Sequence, residues 1–308
     1  MSSPVSQKRV QFDFEVEFLN GGGIQGQGFR LDIEGEDIDD SALAQYIVQD
    51  LRLLMVGRVA ILNKTIIAEP HKRSRAPVPV EDKAVATLID LSHTIEDGMI
   101  TYKGLPAPLI CDHLSREQSR SLYAPGTEFQ IGKITLCSNT GTYIDSPFHR
   151  FADGTDIAGL TLNTLVGLDA VVVHADGMSG RKIPAEAFGA VDVRGKAVLV
   201  HTNWSRHWRT DRYFEGHPFL TAEAAEYLKN EGAKLVGIDS YNIDDTSGGH
   251  RPVHTTLLGA GIPIVEHMRG LELVPATGAT FTAVPPKVKG MGTFPVRAFA
   301  TLPGQHVT

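Results

Sequence analysis

The feature that most constrains this chain is the segment Pro70-His71-Lys72-Arg73-Ser74-Arg75-Ala76-Pro77-Val78-Pro79. Proline lacks the backbone N–H that a strand or helix interior requires, and the basic side chains between the prolines favour solvent. The chain is therefore expected to divide into a small module over residues 1–70, a linker over 71–85 and a main domain over 86–308. The basic run could also meet an anion or a partner, although a solvated linker accounts for it. At 308 residues the chain is long enough for one large domain with such an appendage.

Within the module, Val10, Phe12, Phe14, Val16 and Phe18 alternate with Gln11, Asp13, Glu15 and Glu17, the period of a half-buried strand. Asn20-Gly21-Gly22-Gly23 turns the chain into a weaker alternation at Phe29, Leu31 and Ile33, which predicts a hairpin. Asp39, Asp40 or Ser41 can cap a helix with Leu43, Tyr46, Ile47, Leu51 and Leu54 on one face and Gly57 at its end. With a further strand or hairpin over Val59 to Ile67, the module reads as a small α+β unit of ββαβ type.

Beyond residue 85 short apolar segments, Ala86 to Leu91, Ala170 to His174, Ala197 to Thr202, Lys234 to Ile238 and Ile262 to Glu266, are separated by Gly, Pro and Asp turns. A helix capped by the Thr221 hydroxyl completes an α/β pattern. The hydrophobic fraction of 42% suffices for a core. No apolar run approaches the roughly 18 residues of a membrane span, and the N-terminus lacks a signal-like apolar stretch, so a cytoplasmic protein is expected, with no membrane partner. A net charge of −7 without a basic stripe argues against nucleic acid, and Cys111 and Cys137 cannot build a disulfide framework or a thiolate zinc site.

Polar chemistry is densest in Ser138-Asn139-Thr140-Gly141-Thr142-Tyr143-Ile144-Asp145-Ser146-Pro147-Phe148-His149. On an extended chain Asn139, Tyr143 and Asp145 share a face, and Pro147 stiffens the turn that presents His149. Such residues also serve turns by satisfying backbone groups. A second cluster runs from His250 to His267, where a helix from Val253, a glycine turn at Gly259 to Gly261 and a strand to Glu266 would set His254 opposite Glu266. Between them the strand ending in Gly237-Ile238-Asp239 runs into Asp244 and Asp245, at the strand end where α/β proteins place polar site residues, or simply into a capped turn. Trp204 and Trp208 offer an aromatic wall or plain packing. His217 could reach the cleft or lie in a surface turn, and Lys287 to Arg297 reads as a tight turn, a lid or an anion contact.

Asp90-Leu91-Ser92-His93, Thr140-Gly141-Thr142-Tyr143-Ile144-Asp145-Ser146-Pro147-Phe148-His149, Gly237-Ile238-Asp239-Ser240 and His254 with Gly259-Ala260-Gly261-Ile262-Pro263-Ile264-Val265-Glu266 together resemble the cyclase family that includes bacterial kynurenine formamidase and isatin hydrolase. The resemblance spans about residues 86 to 302. It implies a swivelling β/β/α domain, a homodimer or homotetramer, and hydrolysis of a small amide, cyclic amide or lactone. It further implies a divalent metal (Zn, Mn or Mg) at Asp145, His254 and Glu266, with His149, His254 and Tyr143 as catalytic groups and Asn139, Trp204 and Asp239 against a small-molecule substrate. In the family motif His-x-Gly-Thr-His-x-Asp-x-Pro-x-His the first two histidines bind the metal, and here their places hold Asn139 and Tyr143. A metal-free cyclase, dehydratase or isomerase working through Tyr143, His149 and His254 therefore stays open, as does a non-catalytic small-molecule-binding protein.

Overall fold

A computed structural model describes residues 8–33, 35–68 and 86–304, which divide into one unit within 1–82 and another within 83–308. The linker expected at 71–85 lies outside the described residues.

In the first unit the alternation becomes strand β1 (Lys8–Phe18), which pairs antiparallel with both β2 (Gly23–Ile33) and β3 (Val56–Ala68) and is therefore central. Val10, Phe12, Phe14 and Val16 are buried and pack with Leu43 and Ile47 of helix α1 (Asp40–Asp50). Each such side chain stabilises the module by about 1.5–3 kcal/mol through the water it escapes. Gly26 leaves the room that the Phe14 ring fills, since a Cβ there would fall 2.2 Å from it. Asp39 is the residue that caps α1, accepting from the Ala42 N–H at 2.8 Å. The apolar face is shorter than expected: the helix stops at Asp50, Leu54 and Tyr46 are exposed, and Gly57 lies in β3 instead of ending the helix.

In the second unit the strands are β4 (Thr87–Asp90), β5 (Leu109–Leu114), β6 (Ile131–Thr135), β7 (Tyr143–Asp145), β8 (Leu168–His174), β9 (Lys182–Ile183), β10 (Ala197–His201), β11 (Phe219–Leu220), β12 (Leu235–Ile238), β13 (Ile264–Glu266), β14 (Ala279–Thr282), β15 (Thr293–Pro295) and β16 (Phe299–Leu302). Nine of them form one sheet in the order β15-β7-β13-β12-β10-β8-β14-β16-β4, while β5 pairs with β6 and β9 with β11. The centre, β8-β10-β12-β13, is parallel, and the strands outside it are antiparallel. Apart from the short helix α2 (Arg116–Ser119), the helices are α3 (Ala222–Glu231) and α4 (Pro252–Gly259). Leu228 of α3 and Leu257 of α4 pack with Val171, Val198, Val236 and Ile264, and the opposite side chains Val172, Leu199, Leu235 and Val265 join Ile144 and Phe281. Burial on both faces explains why these strands read as continuous apolar runs.

This is the expected α/β domain, with a small α+β module ahead of it in the chain. No described helix is long and apolar enough to cross a membrane. The extended reading of residues 138–145 holds only for Tyr143–Asp145. Gly141 adopts a φ of 69°, and a Cβ there would meet Ile95 at 2.8 Å, so Asn139 reaches the site through a bend and not along a strand.

Candidate active site

β7 delivers the first two groups. It lies between β13 and β15, so Asp145 is paired with Ile264 on one side and Thr293 on the other, while Tyr143 is the register partner of Glu266. The short turn Pro147–His149 follows and swings His149 back toward Asp145. From the parallel centre, the loop after β12 brings Asn242 and Asp244, and α4 brings His254. Asn139, Tyr143, His149, His254 and Glu266 line one cleft of about 370 Å³, together with Tyr102, Asn242, Arg150 and Arg251.

The hydrogen bonds assign the protons. The Thr293 hydroxyl contacts both Asp145 Oδ1 and His149 Nδ1, the latter at 2.8 Å. A hydroxyl carries one proton and a carboxylate only accepts, so Thr293 donates to Asp145 and accepts from His149 Nδ1–H. His149 is thereby held with its Nε2 lone pair free, and its half-exposed ring can take or return a proton in the cleft.

Asp145 Oδ2 is buried without a hydrogen-bond partner. It faces His254 Nε2 at 3.6 Å, and Glu266 Oε1 lies 3.9 Å from the same nitrogen. His254 Nδ1 is bound to Asp244 Oδ2 at 2.7 Å, and Asp244 is itself fixed by the Val253 and His254 N–H groups. Burial opposes charge on His254, but the Asp145 carboxylate facing it, the bond to Asp244 and the nearby Glu266 outweigh it and push the imidazole up to about 10. Burial, with Asp145 adding to it against His254, pushes Glu266 up to about 7. Burial works against the Asp145 charge too, yet the neighbouring His254 and His149 rings and the Thr293 hydroxyl hold its carboxyl below the usual range.

These values describe a cluster with surplus negative charge around one imidazole, the setting a cation would complete. The donor set suits a divalent ion: an orphaned carboxylate oxygen and a second carboxylate oxygen both face one imidazole nitrogen, and Asp244 orients the imidazole from behind. Asp145, His149 and His254 also present ligand atoms within 4.8 Å of one another. His149 is the less suited of these, because its Nδ1 is engaged by Thr293.

Tyr143 donates to Glu266 Oε2 at 2.7 Å, and Asn139 lines the same cleft. Burial, reinforced by Glu266 and Asp145, pushes the phenol up, so it stays protonated and acts as a donor that orients Glu266, not as a base. The imidazoles expected by the family motif are thus replaced by an amide and a phenol, and the phenol leans on the retained carboxylate.

Two candidates do not reach the cleft. Asp239 is fully buried and its oxygens accept from the Thr202 N–H and hydroxyl at 2.7 and 2.6 Å and from the Asn203 N–H at 2.9 Å, so it ties two strand ends together. Trp204 is buried, its indole donates to the Tyr213 carbonyl at 3.0 Å, and it packs in an aromatic cluster with Tyr213 and Tyr241. His217 is neither in the cleft nor in a surface turn: it is 1% exposed and meets the Asp244 carbonyl at 3.0 Å. The Lys287 to Arg297 segment closes on the site, with Gly292 accepting from Ser146 N–H at 2.7 Å and packed so closely on His149 that a Cβ would stand 2.5 Å from its backbone. Thr293 goes unread in the sequence as a site residue, and Asp244 reads only as one of the acids beyond a strand end, with no role of its own. Asp244 had a visible signal, an acid beyond an apolar strand, whereas Thr293 had none.

A layered α/β domain with carboxylates and histidines gathered at strand ends around a polar cleft defines a class of small-molecule enzymes. Residues 89–245, more than half of the chain, match the family described as "Putative cyclase", and the chain belongs to this cyclase family. It is 30% identical over 213 residues to a protein named kynurenine formamidase from Geobacillus thermodenitrificans (strain NG80-2), covering 68% of this chain and 95% of that one. A kynurenine formamidase from Bacillus cytotoxicus is 29% identical over 182 residues, 58% of this chain and 81% of that one. Among solved structures, isatin hydrolase A from Labrenzia aggregata bound to benzyl benzoate aligns with a TM-score of 0.61 at 21% identity, covering 71% of this chain and 94% of that chain. One described as "The Structure Of Potential Metal-Dependent Hydrolase With Cyclase Activity" aligns at 0.59 and 26% identity, over 72% of this chain and 99% of that one.

Proposed function

We propose that this chain is a divalent-metal-dependent hydrolase acting on the carbon–nitrogen bond of a small amide or cyclic amide, or on a lactone. The observation that carries the reading is that Asp145 Oδ2 and Glu266 Oε1 both face His254 Nε2, at 3.6 and 3.9 Å, with the His149 ring beside that of His254. Asp145, His254 and Glu266 would hold the ion. Two carboxylates and one imidazole suit zinc or manganese, with magnesium the weaker fit because of the nitrogen donor. When bound, the ion supplies polarisation of the scissile carbonyl and a lower pKa for water.

The chain's own residues do the rest. His149 takes a proton from the attacking water and returns one to the leaving nitrogen or oxygen, its tautomer held by Thr293. Tyr143 keeps Glu266 oriented, Asp244 does the same for His254, and Asn139 offers an amide to the substrate. The relatives named for kynurenine formamidase and isatin hydrolase support an aryl amide or fused cyclic amide as substrate, and Tyr102 supplies an aromatic wall of the cleft.

Oligomerisation belongs to the same proposal. The β5–β6 ribbon exposes Leu109, Ile110, Ile131 and Ile134, apolar surface that a second copy would cover in a cytoplasmic homodimer or homotetramer. Light scattering reads that directly.

The function is tested by stripping the protein with a chelator and following hydrolysis of isatin and of an N-formyl aryl amide. Loss of turnover, restored by zinc or manganese in wild type but not in Asp145→Asn, is the expected result. Turnover unaffected by stripping overturns the metal-dependent reading, and a metal-loaded, folded protein that cleaves neither isatin, nor the N-formyl aryl amide, nor an aryl lactone assayed beside them overturns the hydrolase.

A further inference from the structure

Away from the cleft, β8 and β10 are parallel neighbours whose register sets His174 beside His201 at their C-terminal ends. The two Nδ1 atoms are 3.1 Å apart. Two residues past β8, Asp176 Oδ1 stands 3.8 Å from His174 Nδ1 and 3.9 Å from His201 Nδ1. None of these three residues lines the cleft. We infer that His174, Asp176 and His201 form a second divalent transition-metal site.

The spacing suits an ion. With bonds of about 2.1 Å to each nitrogen, the separation corresponds to an angle of about 95° at the metal, an ordinary cis arrangement, and the carboxylate closes the third position by a small shift. Two imidazoles and one carboxylate select a borderline cation such as zinc, cobalt or nickel over calcium or magnesium, which favour oxygen. His174 and Asp176 are half exposed, so the ion has an entry path and positions left for water.

A second observation points the same way. His201 is 3% exposed, and its Nε2 is buried without a hydrogen-bond partner. That nitrogen faces Asp239 Oδ2 at 3.9 Å, and Asp239 is held in place by Thr202 and Asn203. An ion on Nδ1 requires the imidazole proton to sit on Nε2, where it is aimed at the Asp239 carboxylate. Ligating histidines commonly direct their second nitrogen to such a carboxylate, which fixes the tautomer and raises the donor strength. The same binding event would therefore ligate the cation and give the orphaned nitrogen a partner. Glu272 adds negative charge near His201, further favouring a cation there.

The test is titration of the full chain with cobalt(II), followed by visible absorption and equilibrium dialysis, in wild type, His174→Ala and Asp176→Asn. Both substituted side chains are solvent-facing, and circular dichroism checks that the fold is kept. Each variant is expected to bind one cobalt fewer per chain, or to weaken one binding step at least tenfold, with loss of the corresponding absorption band. His201→Gln, which keeps a polar group of similar reach, should do the same. Equal stoichiometry, affinity and spectrum in wild type, His174→Ala and Asp176→Asn overturns the site, whatever the cleft binds.

Discussion

Tyr143 and Glu266 are register partners on antiparallel strands, and the phenol donates to Glu266 Oε2 at 2.7 Å while the Ile243 N–H donates to Oε1 at 2.6 Å. Both oxygens of a fully enclosed carboxylate are thus held, and its orientation is set before any substrate arrives. Tyr143→Phe keeps the ring and removes the donor. A buried acceptor left short of a partner costs about 1–3 kcal/mol, so the variant should melt several degrees lower. Thermal melts in parallel with metal titration check it: a folded variant with unchanged melting and metal affinity would show that the bond does not orient Glu266.

Thr293 joins Asp145 to His149. Thr293→Val keeps the shape and deletes both bonds, leaving His149 free to adopt the wrong tautomer. kcat should fall by about 10- to 100-fold with little change in KM, and Thr293→Ser should recover most of it. Equal losses in Val and Ser variants would point to packing instead of proton placement.

The pair Asn139 and Tyr143 stands where the family motif is expected to carry imidazoles, and both line the cleft. Asn139→His with Tyr143→His adds two nitrogen donors beside Asp145, so zinc affinity should rise at least tenfold. Calorimetric titration decides it, with a folded double mutant of unchanged affinity showing that the bend at Gly141 aims residue 139 away from the ion.

His93 stacks on Trp208 with ring centroids 3.9 Å apart, and its Nε2 is buried without a partner. Burial, with the charge of Arg269 adding to it, pushes the imidazole down from 6.5 to about 3. Between those values the unfolded chain binds a proton that the folded one refuses. Stability from this group is therefore complete above pH 6.5 and lost as pH falls toward 3, at up to about 1.4 kcal/mol per pH unit. His93→Phe should flatten the fall in stability between pH 6 and pH 4, read by urea denaturation; parallel curves for the two proteins would rule out His93 as the source.

Local sequence determined the elements. The strict alternation at Val10 to Phe18 could bury one face only as a strand, and the Asp39 cap needed only a donor three residues away. Val253 to Glu266 likewise folded as the expected helix, turn and strand, because glycines and a proline bounded each piece. Asp145, His149, His254 and Glu266 were legible because the family motif keeps them in order and spacing. The roles of their supports were not. Asp145 meets Thr293 from 148 residues away, and Asp239 and Trp204 turned inward because a neighbouring strand end and the turn carrying Tyr213 offered backbone partners that local sequence does not display. His174 and His201 became neighbours only through the register of β8 and β10. Sequence encodes periodicity and turn chemistry over a few residues, whereas which donor faces which acceptor depends on sheet order and register, and these are settled by packing the whole core.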